Sequence, residues 1–316
     1  MNNEKDYKKR LDLFLVEIQG NKYPRAKIAL AIDNGLFLVN EKKQKSSYKL
    51  KQNDVISFNE DVIENFINPD LTLEAYDYKL DIKYEDDDVL VINKPKNMLT
   101  HPTKYDRKET LCNALIAHCG NNLSDIAGFD RLGIVHRLDK NTAGLIIAVK
   151  NNEAHNNLAE QIKNKTAKRK YLALALGEFE QKEGIIDKPL VHYLKDDVKM
   201  CVSNEGLEAI TLYKVKEQFR GIALVELELK TGRTHQIRAH LSSINHPIFG
   251  DELYGAKGLM RNEFYNLKTQ QQLLQSYYLS FEHPKTKEIM EFQLEEKDFS
   301  EDFVKVLNFL RRNNEY

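Results

Sequence analysis

Three uninterrupted apolar runs constrain this chain more than any other feature: Val89 to Ile92, Leu145 to Val149 and Tyr171 to Leu176. Each is short and bounded by polar or turn-forming residues, such as Lys94-Pro95 after the first, so each reads as a buried strand. Helical patterns separate them. Leu111, Ala114, Leu115 and His118 share one face, and Ala154, Leu158 and Ile162 repeat every four residues. Ala223, Val225, Leu227 and Leu229 alternate with Leu224, Glu226 and Glu228, the period of a strand. The turn at Thr231-Gly232 leads into a helix with the stripe Ile237, Leu241 and Ile244, and residues 302–312 predict a last helix. The pattern is that of an α/β chain.

Residues 8–58 predict a separate small unit. Leu11, Phe14 and Leu15 recur at helical spacing, and a second helix runs from Pro24, well placed at a first turn, to Asp33. Leu36 to Val39 is of strand type, Asn40 to Lys43 predicts a turn, and Val55 to Phe58 a closing strand. At 316 residues the chain is long enough for one sizeable core plus such a module. Charge divides along the same line. Residues 1–58 hold 12 Lys/Arg against 7 Asp/Glu, whereas 59–90 hold 2 Lys against 11 Asp/Glu. A basic module followed by an acidic strap suits a nucleic-acid binder with local contacts, and equally the ordinary charge of a solvated surface.

Several chemistries lack support. No apolar run approaches 18 residues, so no membrane partner is expected. The first residues carry no apolar stretch of signal type, which makes the cytoplasm the expected compartment. Cys112, Cys119 and Cys201 show neither disulfide nor zinc spacing. GxGxxG after a strand, GxxxxGK[ST], HExxH and GxSxG are absent, and His235 and His240 are five apart, so neither a metal nor a nucleotide cofactor is expected. What remains is charge on loops beside strands: His136, Arg137 and Asp139, then Tyr171, then Arg233 and Arg238.

The stretch His136-Arg137-Leu138-Asp139-Lys140-Asn141-Thr142-Ala143-Gly144-Leu145 resembles the hallmark of RluA-type RNA pseudouridine synthases. Three further stretches match in order: Asn93-Lys94-Pro95, then Arg169 to Leu174, then Lys230 to Leu241 followed by His246 to Asp251. Ahead of them, Arg10-Leu11-Asp12 through Asp54-Val55-Ile56 resembles an S4 RNA-binding module. Ala143 stands where the family usually has Ser, Gln275 where His is common, and Tyr23-Pro24-Arg25 replaces the usual S4 opening.

The resemblance implies an S4 module over 1–60, a linker over 61–74, and a catalytic domain over 75–316 with a mixed, largely antiparallel sheet. It implies conversion of uridine to pseudouridine in RNA, with 23S-type large-subunit ribosomal RNA the expected substrate and tRNA the alternative, by a monomer. The reaction breaks a C–N glycosidic bond and remakes it through carbon with no redox step, so no cofactor is needed. An ionised carboxylate is needed, at the uracil ring or at the ribose, and Asp139 is the candidate. Burial alone would neutralise it, so a cation belongs beside it. The resemblance assigns that to Arg238, whose fork can hold a carboxylate through two bonds. The resemblance also implies that Tyr171 packs on the base and can take part in proton transfer. A stacked uridine must be extruded first, and Arg137 fills the vacated place. His136 shapes the loop. Arg233, Lys94, Lys140 and Lys257, with Arg10, Arg25 and Lys27 in the first module, are candidate RNA contacts. The rival is a non-catalytic RNA-binding protein of the same fold, which would have no use for a buried Asp–Arg pair.

Overall fold

The computed structural model describes residues 8–313 apart from 19, 21–22, 60–62, 64–65, 67–72, 104–105, 121, 194–195, 256–266, 268 and 270, with backbone alone at 196–198. Lys257 and most of the expected linker lie outside these residues. The chain divides into two compact units, 1–72 and 73–316. Glu74 belongs to the second, since its carbonyl accepts a 2.7 Å hydrogen bond from Asn113 Nδ2.

In the first unit, α1 (Leu11–Ile18) and α2 (Arg25–Asp33) pack on a three-stranded antiparallel sheet of β1 (Phe37–Val39), β2 (Lys42–Lys43) and β3 (Ile56–Phe58), with β1 central. Pro24 precedes α2 at the N-cap, where its missing N–H forfeits no helical bond. Leu11 and Leu15 meet Ile28, Ile32 and Phe37 in one apolar cluster. The turn is tighter than the composition predicts. Asn40 and Glu41 both have positive φ, and Lys42 already pairs with Val39. That is the geometry a two-residue hairpin needs to match strand twist.

The second unit is built on a nine-stranded sheet. Its strands are β4 (Ile82–Glu85), β5 (Val89–Lys94), β6 (Ala143–Val149), β7 (Lys168–Leu176), β8 (Glu183–Asp187), β11 (Ile210–Phe219), β12 (Ile222–Leu229), β13 (Leu274–Glu282) and β14 (Ile289–Gln293). The order is β4-β5-β6-β13-β7-β12-β11-β8, with β14 also on β13. Only β6–β13 is parallel among its described pairings, so the sheet is mixed and largely antiparallel. A separate hairpin pairs β9 (Leu190–Tyr193) with β10 (Asp196–Val202). The helices are α3 (Leu111–Cys119), α4 (Asn152–Lys163), α5 (Gln236–Ser243) and α6 (Glu301–Asn313).

Both faces of the sheet are covered, which is why its inner strands are apolar without interruption. Val89, Leu145, Ile147, Leu172 and Leu224 lie in one cluster with Leu158 of α4 and Phe303 of α6. Leu90, Ile146, Ala148, Tyr171, Ala173 and Val225 lie in the other with Leu115 of α3 and Ile237 of α5. The alternating composition of β12 therefore does not mean one wet face: Ile222 to Val225 are all buried. Strands β11 and β13 carry charged or polar residues and no apolar run, and they are strands because of what flanks them. Within β13, Ser276 donates to Leu145 O at 2.9 Å, and Gln275 Oε1 accepts from Ser300 N at 3.2 Å.

Where β6 and β13 meet, Gly144 has φ +119°, and a Cβ there would stand 2.0 Å from Ser276 O. Gly144→Ala combines forbidden backbone with an overlap the central sheet cannot relieve, so we expect a loss of about 3 kcal/mol or more. Denaturant midpoints of the two proteins check this; a loss under about 1 kcal/mol would mean the strands separate easily.

Candidate active site

Asp139 lies in the polar loop that enters β6, and the loop is braced on every side. Thr100 Oγ1 donates to Leu138 O at 2.8 Å and accepts from Leu138 N at 3.1 Å. His136 Nε2 accepts from Ile147 N at 3.1 Å, so this neutral ring pins the loop to the strand it feeds, and burial pushes its pKa down to about 3. Lys94 Nζ donates to Pro95 O, Met98 O and Lys140 O. A carboxylate on a loop held by its neighbours' backbone does not need to organise itself on binding.

Arg238, on α5, donates from Nη1 to Asp139 Oδ2 at 3.1 Å. The structure thus brings together the expected carboxylate and cation, but not by the expected fork. The fork is spent on Asp251, with Nε to Oδ2 at 2.7 Å and Nη2 to Oδ1 at 2.9 Å. Asp251 is 1% exposed, Arg238 8% and Asp139 16% along their side chains. The most buried carboxylate takes the strongest pairing and leaves one donor aimed at the more accessible one. Burial opposes the Arg238 cation, but the hydrogen bonds and charges of Asp251 and Asp139 hold its pKa above the ordinary value. Its guanidinium also stacks over Tyr254, 5.0 Å from the ring centre. Tyr254 in turn meets His235 Nδ1 at 3.2 Å, and His235 Nε2 stands 3.9 Å from Asp139.

Tyr171 is 4% exposed on β7. Burial raises its pKa, the charge of Asp139 adds to this and that of Arg169 opposes it, so the group is a neutral phenol at neutral pH. Asp139 and Tyr171 line a cavity of about 370 Å³ with His136, Arg137, Arg169 and Arg233. Arg137 is exposed at its edge, and Arg233 donates from Nε to Glu208 O at 2.9 Å, away from Asp139. A larger cavity of about 620 Å³ lies beside α6 and contains none of Asp139, Tyr171 and Arg238.

Lys94 corrects the sequence reading. It is fully buried, its ammonium is committed to three carbonyls, and burial lowers its pKa to about 7 against the pull of Asp139. It ties the Asn93-Lys94-Pro95 turn to the Asp139 loop and offers nothing to a phosphate. Lys140 is exposed, 3.6 Å from Asp106. In the first unit, Arg10 and Arg25 are half-exposed and share the buried Asp12; Lys27 lies on α2, two residues after Arg25. Among the described residues, two groups have metal-ligand atoms in mutual reach, Glu85-His118-Cys119 and Asp86-Asp88-His283, and neither includes a residue of this site.

Residues 88–243 match the family model described as RNA pseudouridylate synthase. An uncharacterised RNA pseudouridine synthase, YlyB of Bacillus subtilis, is 38% identical over 98% of this chain and 97% of its own length. This chain belongs to the RNA pseudouridylate synthase family. The synthase is also 39% identical to ribosomal large subunit pseudouridine synthase D of Vibrio vulnificus, over 76% of this chain and 73% of that one. Human RNA pseudouridylate synthase domain containing 4 has the same fold, with a TM-score of 0.57 at 24% identity over 73% of the synthase and 92% of the human chain. Sequence reasoning missed Asp251, His235, Tyr254 and Arg169. Asp251 had a signal, since it closes the His246-Pro247-Ile248-Phe249-Gly250-Asp251 match, but nothing in the string says whom it faces.

Proposed function

We propose that this RNA pseudouridine synthase isomerises uridine in large-subunit ribosomal RNA, in the cytoplasm and as a monomer, with Asp139 as the catalytic carboxylate. The observation that carries the reading is the Arg238 guanidinium, locked on Asp251 and left with one donor for Asp139. That arrangement sets a cation against the carboxylate and leaves its second oxygen without a partner among the described residues. The free oxygen is available to the uracil ring or the ribose. Tyr171 supplies the wall against which the flipped base stacks, and its high pKa suits a phenol that keeps or lends its proton. Arg137, exposed at the mouth, is the planar cation that occupies the gap in the RNA stack. Large-subunit RNA is favoured by the likeness to the Vibrio protein. Mapping pseudouridine in RNA from cells lacking this protein tests the reading: one or more large-subunit positions should revert to uridine. Loss confined to tRNA would move the substrate, and no loss would remove the activity.

The first unit is proposed as an S4-like RNA-binding module. Its two helices and small sheet, its basic balance, and Arg10 and Arg25 half-exposed around Asp12 support this. Removing residues 1–72 should weaken binding to large structured RNA and flatten the fall of affinity with salt, because fewer counterions are released. Turnover on a short stem-loop carrying the mapped uridine should persist. Equal salt slopes for the two proteins would take phosphate contact away from this unit.

A further inference from the structure

Arg169 is unexplained by the chemistry above. It stands on β7 two residues before Tyr171, so both side chains project from the same face of the strand. It is 5% exposed, yet no described side chain or carbonyl accepts a hydrogen bond from it, and its Nε is sealed from solvent without a partner. A guanidinium is almost never left so, because a buried charge needs an ion or acceptor. Nor is it a leftover of a carboxylate pair: Asp139 is engaged by Arg238, and the nearby acid Glu208 is paired with Lys165. The neighbouring orphan is also a donor. With His136 Nε2 accepting from Ile147, the neutral ring carries its proton on Nδ1, and Nδ1 has no partner. Among the described residues, the site lacks an acceptor.

The surroundings say what kind. Around the cavity stand Arg137, Lys163, Lys165, Arg169, Lys230 and Arg233, against the acids Asp139 and Glu208. The backbone makes room as well: a Cβ on Gly232 would come within 3.1 Å of Arg169 Nη1. Gly232 has no positive φ that would require glycine, so its lack of a side chain serves the space around this guanidinium. Two strand positions separate Arg169 from Tyr171, about 7 Å, a span comparable with that between a nucleotide's base and its phosphate.

We propose that Arg169 binds a phosphodiester of the RNA next to the target uridine, and that it is held buried and unpaired for that purpose. This rests on the reading of the cavity as the uridine site. A bidentate guanidinium–phosphate contact would fix the nucleotide with its base over Tyr171 and its glycosidic carbon towards Asp139. In the free protein the same charge is a burden on the fold, as groups held for binding often are.

The test uses the full chain with Arg169→Met and Arg169→Lys. Inorganic phosphate, titrated against chloride at matched ionic strength, should raise the melting temperature of the wild type. It should do so less for Arg169→Lys and not at all for Arg169→Met. Without phosphate, Arg169→Met should melt at or above the wild-type temperature. On the stem-loop carrying the mapped uridine, Arg169→Met should lose about ten- to a hundredfold in kcat/KM, chiefly through KM. Its slope of log affinity against log salt should be shallower by about one. Equal phosphate shifts in wild type and Arg169→Met, no shift in the wild type, or an Arg169→Met protein that melts lower or does not fold would each overturn the proposal. Wild-type protein that responds to phosphate but forms no pseudouridine would instead sink the proposed function and leave the anion site standing.

Discussion

Asp139→Asn is expected to yield a folded protein that binds RNA and forms no pseudouridine. The loop around residue 139 is held by Thr100, Lys94 and His136 through its neighbours' backbone and not through the Asp139 side chain. An asparagine oxygen can still accept from Arg238 Nη1, and Arg238 keeps its fork on Asp251. The stability cost is therefore that of one weakened charge-assisted bond, about 1–2 kcal/mol. The chemical cost is of another order, because an amide has neither the charge nor the nucleophilicity of a carboxylate. Single-turnover measurements should show a fall of at least about a thousandfold, equivalent to ~4 kcal/mol of barrier. A residual rate within tenfold of wild type would remove Asp139 as the reacting group, whatever its surroundings.

Arg238→Ala should damage both folding and turnover. It leaves Asp251, almost fully buried, with no cation among the described residues, and breaking a buried pair in this way costs about 3–5 kcal/mol. Denaturant midpoints of the two proteins check this, and a loss under about 1 kcal/mol would mean that Asp251 does not depend on the pair. Turnover should drop by about a hundredfold or more, since Asp139 loses the donor that holds its carboxylate in place. Arg233→Ala is the control: that side chain reaches a carbonyl at the rim and should change binding more than rate. Equal, mild effects of the two substitutions would break the assignment of Arg238.

The apolar runs at 89–92, 145–149 and 171–176 were legible as strands because burial on both faces leaves an unbroken apolar string. Strands β11 and β13 were not, because their polar residues are satisfied by partners such as Leu145 O and Ser300 N that sequence spacing cannot place. The same limit applied within the site. Asp139, Tyr171 and Arg238 were readable as a group because each sits in a motif whose residue types recur together, and the structure sets Arg238 on Asp139 and places Asp139 and Tyr171 on one cavity. Lys94 was misread for the same reason: a lysine in a motif looks like a phosphate contact until its burial under three carbonyls is seen.

What the string of residues determined by itself was local: which of the apolar segments are helix or strand, where the charged loops fall, and which carboxylate has a motif around it. Those properties depend on neighbours a few residues away, through backbone preference and hydrophobic period. The tertiary structure decided who faces whom. Asp251 takes the fork of Arg238 and leaves one donor for Asp139, and Arg169 is buried with no acceptor among the described residues, because charge pairing depends on distance in space and on exclusion of water. Neither quantity exists until the sheet and its covering helices are assembled.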